Sequence, residues 1–102
     1  MMSVDAAFDR IGSALQQRGY SPVKEETPSP EFRVASYSSQ DMSVRVRWNE
    51  KSRVLALEVE ANGEWAEFAR RAFGPQGLED TAVEALVRAV RNEVAETSTD
   101  AD

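Results

Sequence analysis

The fold is decided by residues 42–49, which run Met42-Ser43-Val44-Arg45-Val46-Arg47-Trp48-Asn49. Apolar and polar side chains alternate strictly along this stretch, and a period of two is typical of a β-strand with one buried face. The same alternation returns in residues 54–60, Val54-Leu55-Ala56-Leu57-Glu58-Val59-Glu60. The short polar segment between the two predicts a tight turn, so we expect the two strands to pair antiparallel, with Val46 facing Leu55 and Val44 facing Leu57.

A shorter strand is predicted upstream, where Phe32 and Val34 alternate with more polar neighbours. The turn at residues 38–41 joins it to the strand at 42–49, which then lies in the middle of a three-stranded meander. The pattern predicts that one side of this sheet is apolar and buried, with Arg45 and Arg47 on the other side, in water. The buried set is expected to include Val44, Val46, Leu55 and Leu57.

Three segments have the apolar spacing of amphipathic helices. The first covers residues 3–18, with Ser3 as its N-cap and Gly19 as its stop. The second covers residues 63–73, where Trp65, Phe68 and Ala69 share a helical face and Asn62-Gly63 turns the chain out of the preceding strand. The third covers roughly 78–95, with a capping box starting at Thr81. Its expected inward residues are Val83, Leu86, Val87, Val90 and Val94.

These elements predict an α+β fold: one helix, a three-stranded antiparallel β-meander, then two helices packed mainly on one face of the sheet. We expect a single domain over residues 1–96, with an extended, proline-containing connector at 20–31 and a flexible acidic tail at 97–102. A three-stranded sheet is about 14 Å wide and holds about two helices side by side. The third helix is therefore a surplus element, and packing against a second copy of the chain, as a homodimer, is one place for it.

Composition excludes several classes of function. The 102 residues include no cysteine and no histidine, which removes disulfides, thiolate metal sites, cysteine nucleophiles and the commonest general base. The glycines match no phosphate-binding loop. The carboxylate pairs Glu58/Glu60 and Glu64/Glu67 could each hold magnesium or serve as acid and base, but solvated surface charge is the simpler interpretation. We therefore predict no enzyme, no catalytic residue, no metal and no cofactor.

Charge and hydropathy set the expected surroundings of the protein. The net charge of −6 makes nucleic acid an unlikely partner, because the molecule as a whole repels phosphate. No stretch has the length and apolarity of a membrane span, and the first residues lack the pattern of a secretion signal. The expected location is the cytoplasm.

One candidate binding site stands out, formed by side chains expected to share the outward face of the sheet: Arg33, Tyr37, Arg45 and Arg47. Arginines beside an aromatic residue are suited to binding a protein partner, and the alternative ligand is a nucleic acid or a phosphate compound. Glu58 and Glu60 lie across the same face. Ordinary cross-strand ion pairs with Arg45 and Arg47 are the competing interpretation.

The predicted arrangement of a helix, a three-stranded meander and C-terminal helices in a small acidic chain is similar to that of type III secretion chaperones. It also fits small bacterial immunity and inhibitor proteins. The likeness is one of architecture and implies protein binding. The leading hypothesis is a small, acidic, non-enzymatic protein-binding module (adaptor, chaperone, inhibitor or immunity-like) that acts through its sheet edge, its outer sheet face or a dimer surface.

Overall fold

The computed structural model describes residues 1–40 and 42–94, in which an N-terminal helix is followed by five strands and a second helix. The elements are α1 (Val4–Gln17), β1 (Ser21–Ser29), β2 (Phe32–Ser38), β3 (Ser43–Asn49), β4 (Val54–Ala61), β5 (Glu64–Ala72) and α2 (Asp80–Glu93). The fold is α+β, but the prediction of a three-stranded meander with two C-terminal helices is wrong. The predicted tail at 97–102 lies outside the described residues.

The five strands form one antiparallel sheet in chain order, β1-β2-β3-β4-β5. One face carries Val44, Val46, Leu55 and Leu57, all at most 1% exposed, and these side chains share a core with both helices. We call this the inner face and the opposite side the outer face. The burial predicted from the alternation at 42–60 is therefore confirmed. The predicted register is wrong by two residues, because Val46 pairs with Leu57 and Trp48 pairs with Leu55.

The segment predicted as a second helix, residues 63–73, is mostly strand β5. Asn62 and Gly63 both have positive φ, +57° and +81°, which is the backbone of a type I′ hairpin turn. The chain therefore returns beside β4. A β-bulge inserts Phe68 between the pairs Glu58–Glu67 and Leu57–Ala69. Phe68 and Ala69 both pack against the core. The bulge therefore places two consecutive apolar residues on the buried side of a strand, a pattern that is otherwise typical of a helix.

The predicted connector at residues 20–31 mostly forms β1, an edge strand. Pro22 and Pro28 are tolerated there because an edge strand bonds to a neighbour on one side only. The pairing with β2 shifts register twice, between Pro22 and Lys24 and between Glu26 and Ser29. Almost every residue of β1 is exposed. This strand therefore widens the sheet without adding to the core.

The ends of the helices differ in how well the sequence predicted them. The amide of Ala6 donates to the Ser3 hydroxyl at 3.1 Å, so the predicted cap of α1 is confirmed. The capping box at Thr81 is not formed, because α2 begins at Asp80 after an N-cap at Glu79 that makes no side-chain cap bond. Leu78 is held instead by backbone hydrogen bonds to Met2, which keep it out of the helix.

The corrected element count removes the surplus helix. Five strands make a sheet about 24 Å wide, enough for two helices side by side at roughly 8–10 Å each. Within the described ranges both helices pack on the inner face, so an unpartnered helix no longer argues for a homodimer. The arrangement on which the likeness to secretion chaperones was based is not the one observed. Neither helix is long and apolar enough to cross a membrane.

Candidate interaction site

The four residues predicted to form one site lie on two faces of the sheet. Arg45 and Arg47 are on the outer face, as expected. Arg33 pairs with Trp48 and Tyr37 pairs with Val44 across β2 and β3, which places both on the inner face. The prediction that the four share a face is therefore wrong. Ala35, which lies between them, is the buried residue of β2. Phe32 and Val34 lie on the outer face and are partly exposed.

Arg33 joins α1 to the edge of the sheet. Its guanidinium lies 4.3 Å from the ring centroid of Phe8 and forms ion pairs with Asp5 of α1 and with Glu25 of β1, the latter at 2.6 Å. Burial opposes its positive charge, but the hydrogen bonds and charges of the two carboxylates outweigh it and raise the pKa of Arg33 above its usual value. These contacts hold α1 against β1 and β2, which gives Arg33 a structural role.

Tyr37 lies under the middle of α1. A Cβ atom at Gly12 would overlap the Tyr37 hydroxyl, so glycine is what lets the helix come this close to the ring. Burial, and then the negative charges of Glu25 and Asp9, raise the pKa of Tyr37 above 10.0, and Arg33 lowers it in part. Arg33 and Tyr37 are therefore part of the packing between helix and sheet.

The outer face has a different centre, formed by four side chains: Trp65, Arg45, Glu58 and Arg47. We call them the arginine–tryptophan cluster. Glu58 is only 8% exposed and accepts hydrogen bonds from Arg45 Nε and, at 3.1 Å, from Arg47 Nη1. The guanidinium of Arg45 lies 4.0 Å from the ring centroid of Trp65. The predicted ion pairing of both arginines across the strands is confirmed for Glu58.

Trp65 was missed because residues 63–73 were assigned to a helix. The signal that identifies it is the Asn62-Gly63 dipeptide directly after an alternating strand, the strongest short hairpin signature. A hairpin at that point pairs Trp65 with Glu60 and places it on the outer face, as observed. A glycine residue next to an asparagine was thus more informative here than the helical spacing of the aromatic residues.

Apolar side chains lie next to the arginine–tryptophan cluster on the outer face. Phe32, Val34 and Val54 are partly exposed there, and Ala56 is buried between them and the charged groups. A shallow groove of about 90 Å³ is lined by Phe32, Val54 and Ala56 together with the charged residues Arg47, Glu67 and Arg70. Both described helices lie on the other side of the sheet, so no helix of residues 1–40 and 42–94 covers this apolar surface.

The outer face is electrically balanced, in contrast to the whole chain at −6. The strand pairing places equal numbers of basic and acidic residues on it: Lys24, Arg45, Arg47 and Arg70 with Glu26, Glu58, Glu60 and Glu67. Among the described residues, the strands therefore give this face no net charge. An acidic ligand can approach such a face without the repulsion that a negative surface exerts.

Within the part of the chain that the structure describes, no group of three or more acidic residues is arranged to hold a metal ion. The outer face presents an apolar surface next to the guanidinium groups of Arg45 and Arg47, which Glu58 holds in position. Comparison of the chain with protein-family models, curated proteins and solved structures finds no match. We therefore infer function from the geometry of this face.

Proposed function

We propose that this protein is a non-enzymatic protein-binding module whose partner docks on the outer face of the sheet. The observation that carries the proposal is the arginine–tryptophan cluster. It places a tryptophan and two arginines beside a partly exposed apolar surface. Tryptophan and arginine are the residue types most enriched at the energetic centres of protein interfaces.

The cluster is organised before any partner arrives. Glu58 holds Arg45 and Arg47 by charge-assisted hydrogen bonds, and Trp65 fixes the plane of the Arg45 guanidinium. Side chains that are already ordered lose little conformational entropy on binding, so more of the contact energy appears as affinity. An ordinary solvated arginine face lacks this arrangement.

The lining of the groove indicates the chemistry of the partner. Phe32, Val54 and Ala56 suit one aromatic or aliphatic side chain. The Arg47 side chain at the rim is 40% exposed, and its guanidinium carries more donors than the one that Glu58 uses. The expected ligand is a protein segment in which an apolar residue stands next to aspartate or glutamate.

Binding of nucleic acid has less support from the same geometry. Arg33 and Tyr37 lie on the inner face, and Glu58 partly neutralises the two arginines that remain outside. An electrically balanced face offers a phosphate backbone little attraction. We therefore propose a protein segment as the ligand.

The test is a selection of displayed random peptides on the immobilised protein, followed by calorimetry and amide chemical-shift mapping with the peptides that bind. We expect enriched peptides to combine an apolar residue with an acidic one and to shift amides of β3, β4 and β5. Ala56→Arg and Arg47→Ser should each weaken binding at least about tenfold, and Ser13→Arg on the exposed side of α1 should leave it unchanged. Ala56 is buried, so Ala56→Arg can disturb folding. Arg47→Ser changes an exposed side chain and tests binding independently of that effect.

Two results would overturn the proposal. One is the absence of any peptide that binds more tightly than to a control protein. The other is binding that maps to the helices or that both outer-face variants leave intact while their circular dichroism spectra match the wild type.

A further inference from the structure

The two edges of the sheet are built differently. β1 has two prolines, a lysine and two register shifts, all of which hinder pairing with another strand. β5 has no proline and no lysine along its nine residues. Outside the helices and strand ladders of the described residues, no backbone hydrogen bond involves β5. The β5 edge is therefore the open one.

The charges along β5 are segregated. Glu64 and Glu67 lie in its first half, and Arg70 and Arg71 lie in its second half. When two copies of such a strand run antiparallel, the acidic half of each lies beside the basic half of the other. The strand is thus complementary in charge to a second copy of itself.

The bulge at Phe68 allows opposed residues of two copies to lie on the same face of the sheet in both halves of the strand. Glu64 and Arg71 lie on the inner face, and Trp65 and Arg70 lie on the outer face, because the extra residue changes the phase of the alternation. Placing Glu64 opposite Arg71 of a second copy automatically places Trp65 opposite Arg70. In the single chain Arg70 bonds Glu67 at 3.1 Å in an exposed pair, a weak interaction that a second copy can replace.

We infer that β5 is a homodimerisation edge, at which two copies pair antiparallel about a two-fold axis with Glu64 opposite Arg71. The axis stands perpendicular to the sheet, so the two sheets join into one of ten strands. Both outer faces then lie on the same side. This inference is argued from the edge of β5 and does not depend on the proposed function, although Trp65 and Arg70 lie beside both surfaces.

The test is sedimentation equilibrium of the full chain, up to high micromolar concentration, with two charge-reversal variants. One carries Arg70→Glu and Arg71→Glu, and the other carries Glu64→Arg and Glu67→Arg. We expect the wild type to dimerise and each variant's dissociation constant to rise at least about tenfold, because like charges then face each other. The first variant is more negative than the wild type and the second less, so a general charge effect would move them in opposite directions.

An equimolar mixture of the two variants supplies the matched control. We expect the mixture to recover a dimer, because an acidic β5 edge then meets a basic one. Hydrogen exchange at rising concentration should slow amides of β5 and leave those of β1 unchanged. A wild type that stays monomeric, variants that dimerise as well as the wild type, a mixture that stays monomeric, or protection that appears away from β5 would overturn the inference.

Discussion

At the scale of single residues, the same amino acid has different roles on the two faces of one sheet. Arg33 and Arg47 both lie on strands with partly exposed side chains, yet Arg33 fastens α1 and Arg47 belongs to an open surface. The partners make the difference: Phe8 and Asp5 of the helix for Arg33, and Glu58 of the next strand for Arg47. Residue type alone does not assign an arginine to a site.

The central residue of the outer face is Glu58, and its replacement tests the cluster. We expect Glu58→Gln to lower the free energy of unfolding by about 1 kcal/mol and Glu58→Ala by about 2 kcal/mol, because two guanidinium groups lose their charged acceptor. Urea denaturation measures both. Glu60→Gln, on the same face of the same strand, should change stability by less than about 0.5 kcal/mol. An equal loss in the Glu58 and Glu60 variants would contradict this role.

At the scale of elements, the turn at Asn62-Gly63 decides whether the next segment is a strand or a helix. A positive φ at two consecutive residues reverses the chain with the twist that a hairpin needs. β5 then gains a ladder of backbone hydrogen bonds to β4 that is interrupted at the Phe68 bulge. That ladder outweighs the helical spacing of Trp65, Phe68 and Ala69, because local propensity is weak compared with pairing to a neighbouring strand.

Replacement of the turn glycine tests this explanation. Gly63 has φ +81°, so we expect Gly63→Ala to lower the free energy of unfolding by about 1–2 kcal/mol. Gly74 has no such φ and open space around it, which makes Gly74→Ala the matched control, with a change of less than about 0.5 kcal/mol. Thermal or urea unfolding gives both values. Similar losses at the two positions would mean that the turn conformation does not limit β5.

At the scale of the whole molecule, the first and last described helices are held together by long-range contacts. α1 and α2 pack against each other, Arg10 pairs with Glu84, and Arg18 donates to the carbonyl oxygens of Arg91 and Val94 at the end of α2. These contacts join residues more than seventy positions apart. Spacing along the sequence contains no information about them.

The global stability should depend on pH in the alkaline range through Tyr37. Its raised pKa means that the folded state favours the neutral phenol, so its contribution is complete below pH 10.0 and is lost as pH rises through the folded pKa. We expect the unfolding free energy of the wild type to fall more steeply above about pH 10 than that of Tyr37→Phe. Urea denaturation at a series of pH values measures the difference. Parallel curves for the two proteins would show that Tyr37 does not carry this dependence.

The central hairpin and α1 follow from local patterns in the amino-acid sequence. Alternation at 42–60 allows only one face to be buried, and Ser3 caps the first helix through atoms three residues away. Both are local effects that act within a strand or a turn of helix. The burial of Val44 and Leu57 and the outward direction of Arg45 and Arg47 followed from that alternation.

The number of strands and the composition of the outer face depend on contacts between distant parts of the chain. β1 and β5 are strands because neighbouring strands supply hydrogen bonds that outweigh prolines in one case and helical spacing in the other. The face on which Arg33 and Tyr37 lie was set by the register between β2 and β3, and Gly12 leaves room for the Tyr37 ring under α1. Long-range pairing and packing fix these features, because several local structures remain compatible with the same short stretch of sequence.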